Sequence, residues 1–364
     1  MSELINVRSN RNNFRRQLLA TASALTLMGF MNGAQASDDT APDHPLVWIE
    51  LGGQFDSEID PIQTWTPPNV PPPLVQPTFQ PFGKMPRVGY DWDGKVSVQP
   101  DDSGWTFSAA IQFGKAKHGP KSTHDQDNPT GLNSFYLPAP PTYAFTDSQS
   151  VSKTSHLILD FQAGKDLGLG LFGGHGSSNI NFGIRMAQFT ESARGTMTAQ
   201  VSAHGKYNGG VGREGDMHAA RSFSGIGPSI DWNASLPLIG SLANGIAFDW
   251  GANGAFLFGR QKADVRLHTK VSRYATFLTT IPLPPSPYNI AHMTSRPSRR
   301  KQVIVPNIGG FAGLSYRMGG RGKIALGYRA DMFFGAIDGG IAARKSENVG
   351  FYGPFASVSI GIGG

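Results

Sequence analysis

Apolar and polar residues alternate with a period of two in ten separate stretches of the chain. In the first, Val47, Ile49, Leu51 and Phe55 share one face and Glu50, Gln54 and Asp56 the other. Val88, Tyr90, Trp92 and Val96 alternate with Arg87, Asp91, Asp93 and Lys95; Trp105, Phe107, Ala109, Ile111 and Phe113 alternate with Thr106, Ser108 and Gln112. Leu157, Leu159 and Phe161 oppose His156, Asp160 and Gln162, and Ile180, Phe182, Ile184 and Met186 oppose Asn181 and Arg185. The pattern weakens over 223–235, where Ile226, Ile230 and Trp232 face away from Ser229 and Asp231. It returns in Ile246, Phe248, Trp250, Ala252 and Phe256 against Asp249 and Asn253. Residues 303–317 are mixed, with Ile304, Ile308, Leu314 and Tyr316 on one side. Ile324, Leu326, Tyr328, Met332 and Phe334 then oppose Lys323, Arg329 and Asp331, and Ala356, Val358, Ile360 and Ile362 oppose Ser357, Ser359 and Gly361. Successive side chains of a strand point to opposite faces, so each stretch predicts a strand with one apolar and one polar face.

The connections between these strands alternate, long then short, without exception. Residues 61–86 hold nine Pro, 115–150 include Pro138-Ala139-Pro140-Pro141, and 282–300 run from Pro282 to Arg299 and Arg300; all three read as loops. The short connections, such as 99–104 and 318–322, are Gly- and Asp-rich turns. In an up-and-down antiparallel sheet this places long loops at one end and tight turns at the other, the pattern of a transmembrane β-barrel. A closed sheet also satisfies every backbone N–H and C=O inside lipid without a free edge. The expected fold is therefore all-β: an up-and-down antiparallel transmembrane barrel of about ten strands, with long extracellular loops and short periplasmic turns.

Composition supports this reading. Only 39% of the 364 residues are hydrophobic and 16% charged, while Gly (46) and Pro (26) are abundant and Cys is absent. No Cys means no disulfide framework or thiolate metal site, and so much Gly and Pro argues against helical bundles. A barrel whose apolar side chains face lipid needs no large apolar interior, which reconciles low hydrophobicity with a folded chain.

Residues 1–36 read as a cleaved signal peptide, with Arg8, Arg11, Arg15 and Arg16, an apolar run over 18–31, and Ala34-Gln35-Ala36 as cleavage site. The run is too short to span a membrane, and Arg15-Arg16 also has a twin-arginine look. Residues 37–364 form one expected barrel domain. Removing the signal leaves 28 basic and 25 acidic residues, so the net charge drops from +6 to +3 and nucleic acid is not an expected partner.

Several segments resemble one family. Phe223-Ser-Gly-Ile-Gly-Pro-Ser-Ile-Asp231, Gly254-Ala-Phe-Leu-Phe-Gly259, Phe182-Gly-Ile-Arg-Met-Ala-Gln188, Leu326-Gly-Tyr-Arg-Ala-Asp331 and Tyr352-Gly-Pro-Phe-Ala356 are similar to strands of the Legionella-type major outer membrane proteins. The resemblance implies an outer-membrane barrel of a Gram-negative cell envelope that conducts small solutes. Outer-membrane lipid, lipopolysaccharide and the barrel-assembly machinery are the expected partners, and a homo-oligomer is compatible with it. The chain departs from the usual barrel ending, an aromatic residue, by finishing Ile360-Gly-Ile-Gly-Gly364.

In a pore the chemistry lies in the lumen. By parity the lumen-lining candidates are Glu50, Arg87, Asp91, Asp93, Lys95, His156, Asp160, Arg185, Asp231, Asp249, Lys323, Arg329 and Asp331, joined by Arg221. Their signs nearly balance, so weak charge selectivity is expected; equally, such charges can pair across a narrow interior and shut it. Gly89, Gly183, Gly225, Gly251, Gly309, Gly313 and Gly327 share that face and are expected to leave space. The expected function is a porin-like pore for small solutes, without enzymatic activity, cofactor or metal. The alternatives are a structural or adhesin-type surface barrel with a closed lumen and an omptin-like protease. Gly168-Leu-Gly-Leu-Phe-Gly173 fits GxGxxG but precedes a strand, not the helix a dinucleotide site requires. His118, His124, Asp125 and Asp127 read as a solvated loop, and Arg296, Arg299, Arg300 and Lys301 as a basic rim suited to lipopolysaccharide.

Overall fold

The computed structural model describes residues 47–59, 87–100, 104–125, 143–166, 176–201, 209–275, 286–296, 298–339 and 346–362. The signal segment, the Pro-rich run 61–86, Pro138 to Pro141, the glycine motif 168–173 and Asp127 lie outside the described residues.

Ten strands form a closed, antiparallel, up-and-down ring. They are β1 (Val47–Ile59), β2 (Arg87–Val98), β3 (Trp105–Asp125), β4 (Tyr143–Asp166), β5 (Ser177–Val201), β6 (Gly209–Gly240), β7 (Gly245–Ala275), β9 (Ser298–Met318), β10 (Gly322–Asp338) and β11 (Ser346–Ile362). Each pairs with the next, and β1 closes on β11 from Val47↔Ile362 to Ile59↔Gly350. An eleventh strand, β8 (Ser286–Ser295), pairs only with the outer part of β7, from Leu267 to Ala275. Turn chemistry fits the tight end: Gly319 and Gly320 take φ of 58° and 72°, and the Arg321 N–H donates to the Met318 carbonyl at 3.2 Å. Two successive positive φ angles are what a two-residue turn needs to match strand twist.

The outward faces carry the apolar half of the alternation. Leu51, Trp92, Phe182, Phe256, Ile304 and Leu326 are all exposed. The upper limit of this band follows the strand register. Met186, Ile226, Phe258 and Ile304 lie in one cross-strand row, and the next outward row is Gln188, Ser224, Arg260 and Gln302. On β7 the band runs from Ile246 to Phe258; at about 3.3 Å per residue and a tilt near 40°, that spans roughly 30 Å, a membrane's hydrocarbon thickness. The fold is that of a transmembrane β-barrel.

Beyond the band the strands continue. β6 has 32 residues and β7 31, against 13 in β1 and 12 in β2, where about 9–11 suffice to cross lipid. Two expectations change here. Much of 115–150 is strand, through Asp125 in β3 and from Tyr143 in β4, and most of 282–300 is β8 and the start of β9. In water neither face needs to be apolar, so alternation vanishes while backbone pairing with the neighbouring strand goes on.

Leu326 is 61% exposed and outward, and Phe107 faces the same way. Leu326→Arg or Phe107→Arg is expected to cost about 2–4 kcal/mol when unfolding is measured with urea in phospholipid vesicles. A cost near zero would deny the outward face its lipid contact.

Candidate functional site: the barrel lumen

Three tiers of inward side chains fill the interior. Nearest the tight turns, the Asp249 carboxylate receives Lys323 at 2.8 Å, Arg317 at 3.4 Å and the Ser235 hydroxyl at 2.6 Å, and Arg317 also donates to Ser235 at 2.7 Å. Glu50, Asp93 and Lys95 stand at this end, and Arg329 approaches Asp93 at 3.6 Å while lying over the Phe355 ring.

The middle tier is organised by Arg185, which is 5% exposed. From β5 its guanidinium grips Asp160 of β4 through two bonds, 2.7 and 3.0 Å, and reaches Asn253 of β7 at 2.8 Å and Asn307 of β9. Asp231 lies at 3.9 Å, held in turn by Gln162, and Asn253 donates to Asp331 at 3.3 Å. A side chain from β5 that bonds to β9 crosses the lumen. Below it a cavity of about 540 Å³ is lined by Glu50, Asp93, Lys95, Asp160, Arg185, Asp231, Asp249, Lys323, Arg329 and Asp331, together with Gly320 and Leu242 of the tight turns.

Above Arg185 the interior is apolar. Ile158, Phe189, Phe223, Leu257, Val305, Phe333, Val349 and Phe351 form one buried cluster contributed by seven different strands. Phe189 is its hub, with ring centroids 4.6 Å from Phe333, 5.8 Å from Phe351 and 5.9 Å from Phe223. These four rings are 0–2% exposed, so no water path separates them. A polar seal lies outside this layer. Arg221 donates to Glu191 at 2.5 Å, to Glu347 at 2.8 Å and to the Asp338 carbonyl at 3.0 Å, while Gln261 donates to the Gly335 carbonyl at 2.6 Å.

Gly251 and Gly313 line the cavity, as expected of inward glycines, but every inward glycine also has a close neighbour where its side chain would be. A Cβ on Gly225 would meet the Phe223 ring at 2.5 Å, one on Gly251 the Phe311 ring at 2.5 Å, and one on Gly327 the Phe355 ring at 2.7 Å. At Gly309 it would collide with the Asp331 carboxylate, and at Gly89, Gly183 and Gly313 with backbone of the adjacent strand. Each glycine accommodates a neighbouring ring, carboxylate or close strand approach. The expectation for Arg299 is corrected: two bonds commit it to Asp338, one at 2.7 Å, and withdraw it from the basic rim.

Of the other parity candidates, Asp91 and His156 bond to each other at 3.0 Å, away from the large cavity; Arg87 belongs to β2, and its side chain is outside the described residues. Arg317, Asn307, Gln162, Gln261 and the four phenylalanines have inward parity too, and only their distant partners reveal what they do. Phe355 also points inward, 8% exposed, so it does not supply an outward aromatic to the last strand.

Alignments with solved structures are long but of low similarity. The chain is 9% identical to the translocator domain of autotransporter NalP from Neisseria meningitidis, covering 95% of this chain and 97% of that one with a TM-score of 0.22. It is 7% identical to Pseudomonas putida OprB, with 87% and 94% covered and a TM-score of 0.17. No protein-family profile and no curated protein matches it.

Outside the band, His218 of β6 lies in a cross-strand row between Arg194 of β5 and Arg266 of β7. Burial, then these two guanidiniums, push its imidazole below the usual histidine value, against a weaker pull from Asp216. The unfolded chain therefore binds the proton more readily, and stability should fall as pH drops through about 6.5 and below. Limited proteolysis of the β5–β7 extension is expected to be faster at pH 5 than at pH 7.5, and His218→Gln to reduce that difference. An unchanged difference in the variant would assign it to other groups.

Proposed function

We propose that the chain is an outer-membrane barrel with a closed lumen, a structural and surface-presenting element of a Gram-negative envelope rather than a standing pore. The observation that carries this reading is the apolar cluster around Phe189, since a dewetted apolar constriction stops ions and water alike. The long polar extensions of β6 and β7 then become the part offered to the outside, which suits an adhesin-type role. Export by the cleaved segment 1–36, assembly by the barrel machinery and membership of the Legionella-type family belong to the same proposal. So does contact with lipopolysaccharide, through the exposed Lys115, Lys117, Arg260 and Arg300 just beyond the apolar band.

One observation favours the porin-like alternative: the 540 Å³ cavity, with both signs of charge on its wall, is already half of a weakly selective conduit for small solutes. That reading requires the Phe189 layer and Arg185 to move aside. The protein is read as non-enzymatic, because the acids of the outer tier, Glu191, Asp338 and Glu347, are held by Arg221 and Arg299. Swelling of proteoliposomes in small neutral sugars separates the two readings. The closed barrel is expected to swell no faster than protein-free liposomes; swelling graded by sugar size would favour the porin.

A further inference from the structure

In the wall formed by β1 to β4, apart from the charged cavity, Asp56, Asp91 and His156 are buried together, 3%, 3% and 4% exposed. One ligand atom from each lies within 4.8 Å of the other two. The strand register builds this cluster. Asp91 of β2, Gly114 of β3 and His156 of β4 form one cross-strand row. Because Gly114 has no side chain, the Asp91 carboxylate and the imidazole meet above it; a Cβ there would lie 2.6 Å from His156 Nε2 and collide with Asp91 Oδ1.

Two oxygens are left over. Asp91 Oδ2 accepts from Gln112 Nε2 at 2.9 Å and lies 3.0 Å from His156 Nε2, but Asp91 Oδ1 is buried with no hydrogen-bond partner among the described residues. The same holds for Oε1 of Gln54, which is 4% exposed and pairs with Asp91 across β1 and β2. Its Nε2 stands 3.5 Å from Asp56 Oδ1, and rotation of the amide about its last torsion exchanges the nitrogen and the oxygen.

We propose that Asp56, Asp91 and His156, with the Gln54 amide oxygen, bind a divalent transition-metal ion of the zinc class inside the barrel wall. Its coordination uses the idle oxygens of Asp91 and Gln54. Around zinc, bonds of about 2.0–2.1 Å put neighbouring ligand atoms roughly 3.3 Å apart, which small rotations of these side chains reach. An imidazole with carboxylates suits zinc, whereas calcium needs six to eight oxygens and magnesium retains water. The bound ion ties β1, β2 and β4 beside the β1–β11 closure, so it stabilises the fold rather than takes part in chemistry.

The test uses the full mature chain, stripped of metal while unfolded and refolded in detergent micelles with either chelator or equimolar Zn²⁺, then desalted for elemental analysis. Only protein showing heat-modifiable mobility is counted. About one zinc per chain is expected in the parent, and Co²⁺ in its place should give visible d–d absorption. Asp91→Asn, His156→Gln and Gly114→Ala should each lower the zinc content at least tenfold, while His124→Gln leaves it unchanged. Less than about a tenth of a zinc per folded parent chain would overturn the proposal, as would undiminished zinc in folded His156→Gln. If Asp91→Asn does not fold, the parent and His156→Gln decide.

Discussion

Replacing Arg185 by Met is expected to destabilise the folded barrel by about 3–5 kcal/mol. The guanidinium is the hub of the middle tier. It neutralises Asp160 directly, faces Asp231 at 3.9 Å, and bonds to Asn253, which in turn serves Asp331. Met keeps most of the chain length but leaves three carboxylates in a low-dielectric interior with their principal cation gone. The expected measurement is a urea midpoint in phospholipid vesicles, with fluorescence of the six Trp as signal. Arg329→Met should cost much less, because Arg329 is more exposed and meets Asp93 only at 3.6 Å. Equal, small effects at both positions would mean that water reaches Arg185 and that the middle tier is not a closed network.

Truncating Phe189 to Ala is expected to cost about 3–5 kcal/mol, the range for a ring removed from a close-packed core. The physical point is what surrounds the ring. In an open pore an inward phenylalanine is wet, and trimming it costs little. Here Phe189 is 1% exposed and touches the rings of Phe223, Phe333 and Phe351, so its loss leaves a cavity that four strands must collapse to fill. Phe182→Ala, seven residues earlier on the same strand and pointing into lipid at 60% exposure, is the matched control; a cost at Phe189 no larger than at Phe182 would contradict a sealed interior.

The two halves of the structure differ in how far the sequence displays them. Wherever lipid faces one side of a strand, the demand for apolar residues at every second position is local, and stretches such as 47–56 and 324–334 show it directly. The same parity put Arg185, Asp231 and Asp331 on the inner face. It could not show that Arg185 reaches Asn307, 122 positions away, because that contact depends on how the sheet closes. The apolar tier was hidden for a related reason. Ile158, Phe189 and Phe223 break the rule that inward means polar, and only Phe223 falls in the stretch 223–235 where the alternation is weak. Inward glycines suggested free volume because a residue without a side chain says nothing of the ring that a neighbouring strand lays over it, as Phe311 does over Gly251. The strand extensions are illegible because their outward faces have left the lipid, so residues such as Arg260 and Lys262 interrupt the apolar alternation while Gln261 and Ala263 stay buried inside, and only backbone pairing marks the strand.

Planar-bilayer recording of the purified, folded chain of residues 37–364 tests most directly whether the lumen is closed. At moderate voltage a closed lumen predicts a bilayer that stays electrically silent after insertion has been verified by heat-modifiable mobility of the recovered protein. Regular, ohmic conductance steps of uniform size from that same preparation would contradict it.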